Sequence, residues 1–176
     1  GAEGRLWVLD SGKRTSLRSY YDARAILLNA DTGAILKVCE FSNAVAPKGA
    51  LLNDFAIDEK RELLYITDTG ARNNEPGLVV LNYTNCEANR VLHQHESVTA
   101  EIYRFFADYL GGQVWRILGA YPKIAVDGIV FNRQTDEIYY APNNSGKLFK
   151  IKAADLLNEQ LTDVERGKLV QYVAPI

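Results

Sequence analysis

Short apolar segments alternate with polar turns along the chain, and one such pattern occurs three times. A segment with a central aromatic residue ends in a turn at residues 4–12, 62–70 and 136–146. The first two copies share an aromatic residue, an Asp and a Gly at matched offsets, and the third has a looser turn. Apolar runs of about four to eight residues between turn residues are typical of β-strands. The repeat therefore predicts three equivalent β-structured units.

The segments around each copy repeat as well. Two further apolar segments follow every copy, and one precedes the second and third copies, at 53–58 and 127–132. Four short antiparallel strands per unit, at a period of roughly 40–50 residues, are typical of β-propeller blades. We therefore predict an all-β fold of about three four-stranded blades, in which the first lacks its leading strand. Trp7, Tyr65 and Tyr139 are expected at equivalent positions in successive blades.

Two segments depart from the strand pattern. Residues 97–120 carry apolar positions at helical spacing and predict a short helical insertion, and a second helical patch is predicted from Asp155 to Arg166. The predicted partial propeller domain at 1–176 thus has four parts: an incomplete blade at 1–46, a blade at 51–96, the insertion at 97–120 and a blade at 123–176.

The number of blades leads to an expectation about partners. A propeller usually needs at least four blades to close, so three blades alone would leave apolar sheet faces and strand edges in water. The chain does not begin with Met and contains no Met, which favours an excised piece. We expect the chain to belong to a longer gene product that supplies the remaining half of the propeller, or to pair with a second copy that completes the ring.

Composition and charge exclude several partners. The 20 basic and 22 acidic residues leave a net charge of -2, and no stretch concentrates Lys and Arg, so nucleic acid and anionic membranes are not expected partners. Apolar runs such as 78–81 are far too short to span a bilayer. Cys39 and Cys86 show no CxxC spacing. They are either one disulfide or two buried thiols, and we favour the thiols.

The candidate site lies where the inner strands of the blades begin. Asn53 and Asp54 open one such strand and Asp127 opens the next, so these residues are expected around one axial mouth. With Asn143, from the turn after the third copy, they form the predicted ligand-binding set. Oxygen atoms of Asn and Asp suit Ca²⁺, which makes Asn53 and Asp127 candidate metal ligands. The alternative is that these side chains only cap turns, and Asp54 is expected to fix its loop.

Other motifs are weaker. His93 and His95 would share one face of a strand, so zinc is conceivable, but no third ligand is visible and an edge-strand role explains the pair as well. The sequences 82–84 and 143–145 match the N-glycosylation sequon. No motif of a nucleophilic enzyme is present in the sequence.

Six segments occur in a recognisable order, at residues 6–12, 52–58, 65–70, 77–80, 90–93 and 126–129. This order, which extends from Arg5 to about Arg166, resembles the major royal jelly protein and yellow family, most closely its microbial members related to L-dopachrome tautomerase. The resemblance implies a six-bladed propeller, of which this chain is about half, and a secreted or periplasmic location. The likeness to the gluconolactonases of the same superfamily is smaller, but Asn53 and Asp127 match two of their metal ligands.

The sequence is compatible with three functions. The family resemblance favours an exported propeller that binds a small aromatic or amine ligand at its central channel. The alternative is a metal-dependent lactonase of the gluconolactonase type, in which a divalent cation polarises a carbonyl. A propeller with a purely structural or interaction role is the third. The sequence does not decide whether the chain belongs to an enzyme, and an enzyme here would be a metal-dependent hydrolase of lactones or have an isomerase-type activity.

Overall fold

The computed structural model of the chain describes residues 4–12, 22–101 and 124–176. These residues form three antiparallel sheets, each built from strands that are consecutive in the chain. The first sheet has three strands, β1 (Arg5–Asp10), β2 (Arg24–Asn29) and β3 (Ile35–Glu40). The second has four, β4 (Leu52–Asp58), β5 (Leu63–Asp68), β6 (Gly77–Asn82) and β7 (Ala88–Val91). The third also has four, β8 (Val126–Asn132), β9 (Glu137–Pro142), β10 (Lys147–Lys152) and β11 (Gln171–Pro175).

The predicted all-β architecture is confirmed. Each four-stranded sheet runs in chain order from its first to its last strand, and β9 pairs with β10 through partners such as Tyr140 and Phe149. The first sheet has three strands, as expected for a blade without its leading strand. The sheets are consistent with three blades of a propeller. Most of the predicted helical insertion at 97–120 lies outside the described residues, and only a short 3₁₀ turn, Glu96–Val98, is seen at its start.

The middle sheet is covered on both faces, which explains the nearly continuous apolar sequences of its central strands β5 and β6. On β5, Leu63 and Tyr65 belong to a core shared with the third sheet, whereas Leu64 and Ile66 belong to a core shared with the first. Alternate residues of a strand point to opposite faces, so one strand supplies both cores. The two cores hold the three sheets side by side in chain order.

The three repeated aromatic residues are equivalent, as predicted. Trp7, Tyr65 and Tyr139 are each the third residue of their strand. Trp7 packs toward the second sheet, with its ring centroid 5.3 Å from that of Tyr83, and Tyr65 packs toward the third sheet, 5.5 Å from Phe131. Each aromatic residue of the first two blades therefore contacts the blade that follows it.

The repeated Asp and Gly of the pattern form the same turn in two blades. Asp10 Oδ1 accepts a hydrogen bond from the Gly12 amide at 3.1 Å, and Asp68 Oδ1 accepts one from the Gly70 amide at 3.0 Å. Gly70 has a φ of +56°, and a Cβ there would lie 2.5 Å from the Pro76 nitrogen. Only glycine fits this turn, which explains why the repeat ends on that residue.

The second helical patch differs from its prediction. Instead of one segment from Asp155 to Arg166, the structure has two short helices, α1 (Ala153–Leu156) and α2 (Asp163–Gly167). Thr162 begins α2 with a capping box, because its hydroxyl accepts from the Glu165 amide while the Glu165 carboxylate accepts from the Thr162 amide. A cap of this kind starts a new helix, so the apolar spacing across the patch did not correspond to one continuous helix.

The preference for two buried thiols was wrong. Cys39 of β3 and Cys86 of the turn between β6 and β7 form a disulfide, with their Cα atoms 5.2 Å apart. The bond links the outer part of the first blade to that of the second, across 47 positions of sequence. Sequence spacing gave no sign of the pairing because it depends on how neighbouring blades pack.

In the described part of the chain, the outer faces of the first and third sheets carry exposed apolar side chains. On the first blade Leu6, Val8 and Val38 are exposed, and β1, β2 and β3 align Val8 with Val38 in one cross-strand row. On the third blade Val130 is 58% exposed. Among the described residues, no helix is long and apolar enough to cross a membrane.

Candidate functional site

The candidate site lies where two inner strands begin next to each other. β4 and β8 pack side by side although they belong to different sheets. Asn53 and Asp127 are each the second residue of their strand, and the pairing register shifts at this point in both strands. A bulge at a strand start redirects side chains and ends regular pairing. The two blades therefore present equivalent polar residues at one end of neighbouring inner strands.

Three of the four predicted residues meet through the carboxylate of Asp127. Its Oδ1 accepts a short hydrogen bond from Asn53 Nδ2, and its Oδ2 accepts one from Asn143 Nδ2 at 2.9 Å. Asn143 follows β9 directly, so the cluster joins the starts of two inner strands and one turn. Asn53 is exposed, while Asp127 is partly exposed. The side chains are brought together as the sequence predicted, and their role in binding stays a prediction.

Asp54 has a different place. Its Oδ1 accepts from the Phe55 amide at 2.8 Å, and its Oδ2 accepts from the Ile129 amide at 3.3 Å. The second bond crosses from one blade to the next. Both carboxylate oxygens are thus directed at main-chain amides, which agrees with the expectation that Asp54 fixes its loop. Among the hydrogen bonds of the described residues, none joins the Asp54 side chain to Asn53, Asp127 or Asn143.

Thr67 supports the site and was not identified from the sequence. Its buried hydroxyl lies 2.8 Å from the Asp127 carbonyl oxygen and accepts from the Asp54 amide at 3.1 Å. It therefore holds the main chain of both inner strands at the residues that form the site. The only sequence signal was the position of Thr67 one residue before the repeated Asp, among residues with strand character.

The electrostatics of the site are set by Asp127. In the described part of the chain its carboxylate contacts two neutral amides, and no Lys or Arg forms an ion pair with it. A carboxylate held by neutral donors keeps its negative charge available to a cation. The arrangement can accept hydrogen bonds from an ammonium group or supply an oxygen to a metal ion.

A metal ion would use oxygen donors at this site. The carboxylate and the two amides are of the type that Ca²⁺ prefers, but they are fewer than the six to eight oxygens it usually takes. Both amides direct nitrogen toward Asp127, so an ion would require them to rotate. Among the described residues, no three His, Cys, Asp or Glu side chains form a group that could hold a metal.

The predicted His-x-His arrangement on a strand is wrong. β7 ends at Val91, and Gln94 between the two histidines has a φ of +54°, so the segment turns. His93 Nδ1 accepts from Arg90 Nε at 3.0 Å, whereas His95 Nδ1 lies 2.8 Å from Ser97 Oγ. Each ring has its own partner, and the two do not form one ligand face.

A second charged cluster connects the blades away from the site. Arg61 donates to Asp58 and Asp136 at 2.7 Å, across the second and third sheets. Its hydrogen bonds, first to Asp136 and then to Asp58, raise the pKa of the guanidinium above its ordinary value. Burial, followed by the charge of Asp58, raises the pKa of the Tyr65 phenol. The ion pairs of Arg61 with Asp58 and Asp136 therefore join the second blade to the third.

Comparison with known proteins agrees with the fold and with the order of its segments. The family model described as "Major royal jelly protein" matches residues 2–174, which is nearly the whole chain. No curated protein matches the chain significantly. The chain, with its successive antiparallel sheets and its matched inner-strand residues, belongs to the major royal jelly protein family.

Proposed function

We propose that this chain contributes, within an exported propeller, a site that binds a small ligand with a positively charged amine. The observation that carries the proposal is the carboxylate of Asp127, which contacts two neutral amides at the start of adjacent inner strands. An ammonium group would donate charge-assisted hydrogen bonds to it, and these are roughly twice as strong as neutral ones. An arylalkylamine, whose charged amine is joined to an aromatic ring by an alkyl chain, is the ligand class that we favour.

The arrangement of the side chains supports a site rather than a set of turn caps. In a turn cap a side-chain oxygen accepts from a main-chain amide nearby in sequence, as Asp54 Oδ1 accepts from the Phe55 amide. The Asp127 oxygens instead accept from two side chains that lie 74 and 16 positions away in sequence. Two side chains from separate segments that meet on the carboxylate of a third segment are the geometry expected of a ligand site.

A Ca²⁺ ion is the second occupant that we propose for the same carboxylate. Asn53 and Asp127 would hold it, with a neutral oxygen and a charged one, and the ion would supply Lewis-acid chemistry when bound. The gluconolactonases that the sequence resembles use a further carboxylate ligand beside these two, and we expect it from a blade that this chain lacks. No observation in the described residues favours a lactonase over a binding site, so we do not propose that activity.

Export is proposed on two observations. The chain belongs to the major royal jelly protein family, and Cys39 is joined to Cys86 by a disulfide. Disulfides form and persist in oxidising compartments such as the secretory pathway or the bacterial periplasm. A secreted or periplasmic location accounts for the bond.

Calorimetry with a charged and an uncharged probe tests the ligand. We expect 2-phenylethylamine to bind the full-length protein, and Asp127→Asn to weaken that binding roughly 10- to 100-fold, since a hydrogen bond to a charged group contributes about 1.5–3 kcal/mol. Asp31→Asn, which removes an exposed carboxylate in a turn of the first blade, is the matched control and should bind as the unsubstituted protein does.

The uncharged analogue and the metal separate the proposals. Binding of 2-phenylethanol as tight as that of the amine would contradict a role for the charge of Asp127. Heat with CaCl₂ that disappears in Asp127→Asn would assign the carboxylate to a metal, and heat with neither probe would contradict both occupants.

We also propose that the two open sheet faces contact further blades, supplied by the same gene product or by a second copy. Exposed Leu6 and Val8 on one side and Val130 on the other would otherwise face water. Each buried Å² of apolar surface contributes about 25 cal/mol, so covering a blade face is strongly favoured. Sedimentation of this chain alone should therefore show pairs or larger species, and a stable monomer of this length would contradict the proposal.

A further inference from the structure

The hairpin turn between β6 and β7 presents an unused chemical motif. Asn82, Tyr83 and Thr84 match the N-glycosylation sequon and begin this turn. Asn82 Oδ1 accepts from the amides of Thr84 at 2.9 Å and Asn85 at 3.3 Å. The side chain thus closes an Asx turn, which uses its oxygen and leaves its nitrogen for other contacts.

The nitrogen of Asn82 is available to solvent. Within the described residues no group accepts a hydrogen bond from Asn82 Nδ2, although its oxygen has two partners. Every buried side-chain nitrogen or oxygen of the described residues has a hydrogen-bond partner. Asn82 Nδ2 has none, so this atom is exposed to water. Thr84, the third residue of the sequon, is exposed.

The turn is held from both sides, so this exposure is a feature of the folded protein. The ring of Tyr83 packs on Trp7 of the first blade, with centroids 5.3 Å apart. Cys86, four residues after Asn82, is bonded to Cys39. The Tyr83 ring therefore packs on the protein, whereas Asn82 is half-buried and Thr84 is exposed.

The second sequon of the chain, at 143–145, has the opposite environment. Asn143 Nδ2 donates to Asp127 at 2.9 Å, so the nitrogen that would receive a sugar is already engaged. Asn144 is 2% exposed and Ser145 is 1% exposed. The Ser145 hydroxyl donates to the Pro142 carbonyl at 3.1 Å. A glycan on Asn143 would break these contacts, since it is bulky and must project into solvent.

We propose that Asn82 is an acceptor of N-linked glycan and that Asn143 is not. In the transfer, Asn82 Nδ2 forms a bond to C1 of an oligosaccharide, and the bond from C1 to a lipid pyrophosphate breaks. The pyrophosphate leaves with the bonding electrons, and one amide proton passes to a base of the transferase. The Cys39–Cys86 disulfide fits the oxidising compartment in which this lipid-linked donor is found.

Secretion of the full-length protein from yeast, followed by enzymatic deglycosylation and peptide mass spectrometry, tests the proposal. We expect one glycan on the peptide that contains Asn82, lost completely in Asn82→Gln and in Thr84→Ala. Thr84→Ser keeps the hydroxyl and should keep the glycan. Asn143→Gln should leave the glycan unchanged, which makes it the matched control.

Two results would overturn the assignment. One is secreted, disulfide-bonded protein whose Asn82 peptide is unmodified, and the other is a glycan on Asn143 of that same folded protein. Because Thr84 contributes only its main-chain amide to the Asx turn, Thr84→Ala should unfold at the same temperature as the enzymatically deglycosylated protein. The variant that lacks the glycan would therefore be folded when its peptides are analysed.

Discussion

Replacing Arg90 by methionine is expected to lower the free energy of unfolding by about 3–5 kcal/mol. Arg90 Nη1 lies 2.8 Å from Asp68 Oδ2, and the side chains are 7% and 0% exposed. Methionine has a similar length but no charge, so the Asp68 carboxylate would remain buried without its cation. A buried charge that loses its partner keeps the full cost of desolvation, which is the source of the large effect.

The guanidinium also ties together segments on both sides of the repeated turn. It donates to the carbonyl oxygens of Val45, at 3.0 Å, and Glu75, and these bonds are lost with the charge. Urea denaturation followed by circular dichroism measures the effect as a lower midpoint. An unchanged slope would show that stability and not compactness has changed.

Two variants serve as controls for Arg90. Arg133→Met removes an exposed ion pair with Glu59, whose atoms are 3.2 Å apart, and should cost less than about 1 kcal/mol. Adding Asp68→Asn to Arg90→Met should recover part of the loss. The Asn oxygen can still accept from the amides of Leu51 and Gly70, and no charge is left buried. Arg90→Met no more destabilising than Arg133→Met would contradict the buried pair.

Removal of the disulfide is expected to lower the free energy of unfolding by about 4 kcal/mol, the chain-entropy value for a closed loop of this size. Cys39 and Cys86 are separated by 47 positions, so the bond restricts a long segment of the unfolded chain. The double variant Cys39→Ala, Cys86→Ala should unfold at a lower urea concentration. Cys39 is fully buried, and its replacement by alanine places no polar group in the core.

Reduction provides the matched control for the disulfide. Dithiothreitol should lower the midpoint of the unsubstituted protein toward that of the double variant and should leave the double variant unchanged. A midpoint that does not respond to reduction in either protein would contradict a stabilising bond between the first two blades.

The sequence was sufficient for the order and pairing of the strands. Local periodicity defines strands, and the repeated Asp and Gly define turns, so the equivalence of Trp7 and Tyr65 followed without any tertiary information. The meeting of Asn53 with Asp127 was also predictable, because both occupy the same position in adjacent inner strands. Because the pattern repeats, residues at the same position in successive copies are expected to lie in neighbouring blades.

Contacts between blades that join non-equivalent positions of the repeat were not predictable. The disulfide needs the turn at Cys86 to lie beside β3, and the support from Thr67 needs its hydroxyl to lie beside the Asp127 carbonyl oxygen. The turn at Gln94 and the capping box at Thr162 replaced a strand and a continuous helix. In both cases a local turn or cap interrupts a segment whose residue spacing fits a regular strand or helix.

A crystal structure of the full-length protein soaked with 2-phenylethylamine would show whether Asp127 binds an amine. We expect the probe's ammonium nitrogen at about 2.7–2.9 Å from an Asp127 carboxylate oxygen, the usual length of a charge-assisted bond. Asn53 and Asn143 should remain beside that carboxylate. A Lys or Arg from another part of the protein in ion pair with Asp127, with the probe bound elsewhere, would contradict it.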